Sequence, residues 1–192
     1  MSKTRLEAFS DGVIAILITI MVLDLKMPPG ADVHALRSLL PVFLSYILSF
    51  VFLGIYWNNH HHMLHAAEKV DGRILWANLH LLFWLSLVPA ATGWMGDHPF
   101  APLPTAVYGG ILLAAAIAYT MLQRTIVSRN GPTSVLAMAV GADLKGKLSL
   151  GLYAAAIGAA YLLPLLSYAI YVLVALMWLV PDRRIEKRLH HS

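Results

Sequence analysis

The 192-residue chain contains no cysteine, which excludes disulfides, thiolate metal centres and a cysteine nucleophile together. Charge is scarce as well: Asp, Glu, Lys and Arg make up 12% of the residues, against roughly 25% in ordinary soluble domains. A soluble protein of this length must cover its surface with polar groups, whereas a chain surrounded by lipid needs no such cover. The sequence also lacks a glycine-rich phosphate loop, a zinc-protease helix and a serine elbow, so no enzyme motif competes for attention. No repeat, low-complexity tract or linker divides it, and one membrane domain over residues 1–192 is expected.

What is present is apolar: 59% of the residues are hydrophobic. The formal charge of +4 and the pI near 9.4 do not point to nucleic acid, because the basic residues sit between apolar runs and gather on no single face. Lys3 and Arg5 precede the first apolar run, but Glu7 and Asp11 interrupt it and no small-residue cleavage site follows, so a cleaved signal peptide is not expected.

A membrane-crossing helix needs about 20 apolar residues to span about 30 Å of hydrocarbon at 1.5 Å per residue. Uncharged runs at 38–67, 74–96, 98–123 and 148–181 meet that length. The last, as one helix, would reach about 51 Å, so the Leu163-Pro164 step is expected to break it. The first run is uncharged only over 12–23, but extending it from Arg5 to Met27 gives a span, provided Asp11 faces protein, with Pro28-Pro29-Gly30 ending it. The expected fold is therefore an all-α, multi-pass protein of the cell membrane, with six spans near 5–27, 36–62, 73–95, 104–126, 145–162 and 164–181.

With the amino terminus cytoplasmic, 12 of the 14 basic residues fall inside, including Arg183, Arg184, Lys187 and Arg188 of the tail, and only Lys26 and Arg37 fall outside. Both termini are then cytoplasmic. The short apolar piece at 134–140 is expected to lie at the membrane interface. Trp57, Trp94 and Trp178 fall near span ends, as interfacial anchors do, and the small residues at 154–160 suit a tight helix contact.

The first helix opens RLEAFSDG, with Arg5, Glu7, Ser10 and Asp11 in its first turns. Read alone, these residues fit a plain helix start as well as a functional cluster, since acidic groups favour the amino-terminal dipole and Ser10 can bond back to the backbone. Asp11 needs a partner. Arg5, six positions away, is no helical neighbour, so the candidates are His60, His61 or Asn78 of other helices.

Arg5, Phe9, Ser10 and Asp11 match the RxxxFSD signature that opens the first helix in the transmembrane protein 175 family of potassium channels, which this chain resembles. Trp57, Asn59, His60 and His61 are similar to that family's WxNHH pattern, with Asp71, Asn78 and Pro89 placed alike around the third span. The likeness covers about the first half of the chain. It implies a homotetramer of six-helix subunits that passes potassium ions in preference to sodium, without a TVGYG-type filter loop, and the sequence has no such loop. It further implies a pore lined by the first helix, narrowed at Ile16, Ile20 and Leu23 with Thr19 beside them. Those four positions stand at i, i+4, i+7 and i+3, on one helical face. Without the resemblance, ordinary packing is the better account of such a stripe. Arg5, Phe9, Ser10, Asp11, Trp57, His60, His61 and Asn78 are then expected to form a structural hydrogen-bond network.

Two rival readings stay open at this stage. One is a secondary transporter or proton-conducting protein using Asp11 and the histidines as a relay. The other is a membrane enzyme with a metal held by His60, His61, His65 and His80, although an aqueous-edge or network role accounts for these histidines better. His190 and His191 suggest nothing catalytic, and no cofactor or bound metal is expected.

Overall fold

The computed structural model describes residues 2–28, 30–140 and 143–179. The carboxy-terminal tail from residue 180, with its four basic residues and His190 and His191, lies outside the described residues, as does Pro29. Among the described residues the fold is all-helical. Four helical stretches are long and apolar enough to cross a membrane: Lys3–Asp24, Leu40–His65, Gly72–Asp97 and Pro102–Asn130. The chain is therefore a multi-pass membrane protein.

Helix α1 covers Lys3–Ile20, with Ser2 accepting from the Arg5 N–H at its start, and tightens into a 3₁₀ turn over Met21–Asp24. A short helix α2, Val33–Ser38, capped by the Asp32 carboxylate on the Ala35 N–H, precedes α3, Leu40–His65. The expected second span at 36–62 therefore divides: Pro41 cannot donate a backbone hydrogen bond and so fits the first turn of a new helix. The expected third span at 73–95 also breaks, into α4 at Gly72–Ser86 and α5 at Val88–Asp97. Proline at position 89 explains it, since the missing N–H leaves the ladder interrupted at Leu87.

Helix α6, Pro102–Asn130, runs longer than the expected 104–126 and stops where Gly131 adopts φ +93°, a conformation costly for any residue with a Cβ. Within the loop that follows, α7 covers Val135–Val140. The final hairpin pairs α8, Leu144–Ala159, with α9, Pro164–Leu179. Helix α8 has 16 residues and reaches about 24 Å, short of the roughly 30 Å of a hydrocarbon core. Of the small residues at 154–160, Ala156 and Ala160 are buried, whereas Ala154, Ala155 and Gly158 face outward.

Two apolar clusters hold the bundle. One joins α1, α3, α4 and α6 through Leu6, Ile14, Leu53, Leu81 and Leu122. The other joins α3, α5, α6, α8 and α9 through Phe52, Met95, Leu112, Tyr153 and Val174. Helix α6 belongs to both and is the central strut. Hydrogen bonds pin the second cluster where hydroxyls are buried: Thr92 Oγ1 donates to Ser49 Oγ at 2.6 Å, Ser49 and Tyr108 share a bond of 2.9 Å, and Tyr171 donates to the Thr105 carbonyl at 2.9 Å. Gly109 is required there, because the Tyr171 hydroxyl occupies the space a Cβ would need.

At the end of the bundle that holds the amino terminus, Asn130 Oδ1 accepts from the Glu68 and Lys69 N–H groups at 2.9 and 2.8 Å, and Arg129 pairs with Asp71 at 2.5 Å. The Ile74 N–H, with the Arg129 guanidinium beside it, holds the Asp71 carboxyl below the usual carboxylate range. These contacts tie the α3–α4 connection to α6 and fix the platform on which α1 stands.

Candidate pore helix and its polar support

Helix α1 has two faces. Leu6, Ser10, Ile14, Leu17 and Met21 recur at spacings of four, four, three and four and are buried against the bundle. The opposite face is bare: Ile16 is 61%, Ile20 46% and Leu23 74% exposed, with Thr19 exposed among them. The chain thus buries one stripe of α1 and leaves a second, almost wholly aliphatic stripe exposed among the described residues. Phe9 also faces outward.

Thr19 is the polar exception on this stripe. Its Oγ1 lies 3.0 Å from both the Ala15 and Ile16 carbonyls, which accept its single proton. The lone pairs of the hydroxyl oxygen are left to point away from the helix. A cation passing this face would meet an acceptor, not a donor.

Below the stripe, a buried polar chain anchors α1 to its neighbours. Ser10 Oγ donates to the Leu6 carbonyl at 2.9 Å, so it must accept from Asn78 Nδ2, 2.9 Å away. That contact orients the Asn78 amide and turns its Oδ1 towards His60 Nε2 at 2.6 Å. It follows that His60 carries its proton on Nε2. Ser10 and Asn78 are fully buried and His60 almost so, hence every one of these bonds is made in a low-dielectric interior.

Asp11 is not part of this chain. Its Oδ1 accepts from the Trp57 indole N–H at 3.0 Å, whereas His60 and Asn78 serve Ser10 and His61 stacks on Trp57 with ring centres 6.3 Å apart. The sequence argument named His60, His61 or Asn78 as partners for Asp11 and placed Trp57 in the same network without pairing the two. The available signal was the indole N–H itself, which seeks an acceptor when its ring packs at an interface between helices. Trp57 therefore bridges α1 and α3 while still half-exposed. Trp94 is also partly exposed, and Trp178 donates within the subunit to Ser149 at 2.8 Å. Among the described residues Arg5 makes no ion pair with Asp11, and Lys3 Nζ donates to the His65 carbonyl at 2.5 Å.

The histidines are spoken for in other ways. His61 stacks between Trp57 and His65, and His80 Nε2 accepts from the Trp84 indole at 2.9 Å. Among the described residues no three His, Cys, Asp or Glu side chains gather as a metal site would require. Asn59, beside His60, donates to the Ile55 carbonyl at 2.8 Å and accepts on its own carbonyl from Tyr119.

Comparison with known proteins gives a consistent result. The family model described as endosomal/lysosomal potassium channel TMEM175 matches residues 5–89. A potassium channel of a Chryseobacterium species is 53% identical over 192 residues, the whole of both chains. A potassium channel of Streptomyces collinus is 36% identical over 126 residues, covering 62% of this chain and 61% of its own. The human endosomal/lysosomal proton channel TMEM175 is 38% identical over 96 residues, 43% of this chain and 19% of that far longer one. Among solved structures, a TMEM175 homolog from Chamaesiphon minutus, described as a lysosomal potassium-selective channel, superposes with a TM-score of 0.82 at 28% identity, covering 94% of this chain and 97% of that one.

Proposed function

Because this chain belongs to the TMEM175 family, whose members are ion channels and not enzymes, we propose that it is a potassium channel of the cell membrane in which four copies of α1 surround the ion pathway. Each copy turns Ile16, Thr19, Ile20 and Leu23 to the axis. The observation that carries this reading is the bare aliphatic stripe on a helix whose other face is locked down by buried hydrogen bonds. A helix that only had to face lipid would need no such rigid seat, whereas a helix that sets a pore diameter does.

The subunit is a six-span unit in this reading, with α4 and α5 as one kinked span and α8 and α9 as the last two. The 16-residue length of α8 is met by local thinning or by burial against α6. The α8–α9 hairpin returns the chain to the side of the amino terminus, which keeps both termini and most of the basic residues in the cytoplasm. The homotetramer is a cyclic assembly with its symmetry axis along the pore.

Selectivity then arises without a carbonyl filter. An ion entering a ring of isoleucine and leucine side chains must shed part of its water, and potassium sheds it more readily than sodium. The outward lone pairs of four Thr19 hydroxyls return part of that lost solvation. A proton relay is less well supported: His60 leads through Asn78 to Ser10, whose proton ends on a backbone carbonyl, while Asp11 stands apart on the indole N–H of Trp57, a donor that does not ionise near neutral pH.

Purified protein in liposomes tests the proposal. Potassium efflux is expected to exceed sodium efflux under equal gradients, and equal rates, or flux no faster than from empty liposomes, would overturn it.

A further inference from the structure

A large cavity lies away from α1. Between α3 and α9 runs an open groove of about 520 Å³, walled by Leu44, Leu48 and Val51 on one side and by Val172, Ala175 and Leu176 on the other. Among the described residues that line it, Ser45 and Tyr168 are the only ones whose side chains carry a polar atom. From Leu40 to Val51 its α3 wall rises about 17 Å, close to half of a hydrocarbon core of about 30 Å. The groove therefore has the length of one leaflet.

One end of the groove is marked as the headgroup level. Phe100, in the left-handed region at φ 61°, closes that end and is exposed, and Trp94 is partly exposed one short segment earlier. Aromatic side chains gather at this depth of a bilayer. Helix α2 lies just before the groove's first residue, Leu40, with Val33 and Leu36 exposed as an amphipathic surface helix would have them. It also supplies the exposed Arg37, three residues before Leu40, and His98 precedes the groove residue Pro99 by one. Asp32 and Asp97 are in the same connections, but Asp32 is committed to capping α2. An exposed arginine in the short helix that leads directly into an apolar slot of leaflet length suits an anionic phosphate joined to a hydrocarbon tail.

We propose that the α3–α9 groove is a phospholipid site, holding one acyl chain per subunit with the phosphate at Arg37. It rests on the multi-pass reading of the chain and not on the pore assignment, so the two fail independently. The bound tail fills the groove between α3 and α9, and it stiffens the face of α3 opposite the contact with α1.

Native mass spectrometry of the full-length oligomer, extracted from membranes and exchanged into detergent, tests it. One phospholipid per subunit is expected to survive exchange. Leu48→Trp, which fills the groove, is expected to lower the retained lipid about tenfold, and Arg37→Gln, which leaves the slot open, to lower it less. Since a groove-filling variant can fail to fold, Leu48→Cys provides a second route in a chain without cysteine. Added dioleoyl phosphatidylglycerol should protect its thiol from an apolar maleimide. Lipid lost entirely on exchange, lipid retained equally by Leu48→Trp, or a thiol that lipid does not protect would overturn the proposal. So would disulfide formation between Leu48→Cys subunits, which would assign the groove to a second copy of the chain.

Discussion

Replacing Ile20 with asparagine is expected to raise cation flux about tenfold and to bring potassium and sodium rates close together, a change of roughly 1.4 kcal/mol in the barrier. Ile20 is nearly half exposed on the face of α1 that the subunit leaves bare. In the proposed ring of four, its branched side chain presents no hydrogen-bonding group to an ion or to water. A carboxamide at that position holds water in the ring and coordinates sodium as readily as potassium, which removes the cost that separated them. Ile16→Asn should act in the same direction one turn away. If Ile20 faced lipid instead, the amide would be stranded in hydrocarbon, and folded yield would fall with the permeability ratio unchanged. Flux from liposomes with the two ions separates these cases.

Asn78→Ala is expected to cost roughly 2–4 kcal/mol of stability, because it orphans two buried groups at once. Ser10 Oγ loses its donor and the Nε2–H of His60 loses its acceptor, and both are sealed from water. Set against a typical folding stability of 5–15 kcal/mol, that loss is large. The assembled fraction in size-exclusion chromatography should fall and the melting temperature in detergent should drop. Asp11→Asn is the informative contrast. The amide oxygen still accepts from Trp57, so only the charge assistance of that bond is lost, and the decrease should be nearer 1 kcal/mol, with ion preference little altered. An Asn78→Ala protein as stable as its parent would contradict the network's role as the seat of α1.

Much of this architecture was legible in the sequence because lipid imposes a length rule. Uncharged runs of fixed minimum length, punctuated by Pro28 and Pro164, mark where helices start and stop. The split between α4 and α5 was not read, although Pro89 announces it: a proline in the first turn of a new helix and one inside a continuous span look the same without knowing where the preceding turn ends. The same ambiguity at Pro41 concealed α2.

The α1 faces could be drawn from periodicity, but periodicity does not say which face the rest of the subunit covers. That depends on long-range packing of Leu6, Ile14 and Leu17 against α3, α4 and α5. Asp11 shows the limit most clearly. Trp57 and His60 lie three positions apart on α3, about 60° around its axis. That small rotation sends the indole to Asp11 on α1 and the imidazole to Asn78 on α4. Spacing within one helix cannot choose between them, because the choice is made by where the neighbouring helices stand.

The absence of cysteine makes the central claim directly measurable, since any introduced thiol is the only one present. Ile16→Cys, Ile20→Cys and Leu23→Cys proteins in potassium-loaded liposomes can be treated with a charged, water-soluble thiol reagent, with Leu79→Cys on the exposed side of α4 as the reference. Modification should block potassium flux at the α1 positions and leave it unchanged at Leu79. Thiols on α1 that never react, or that react without altering flux, would mean that its bare stripe faces lipid and not the ion.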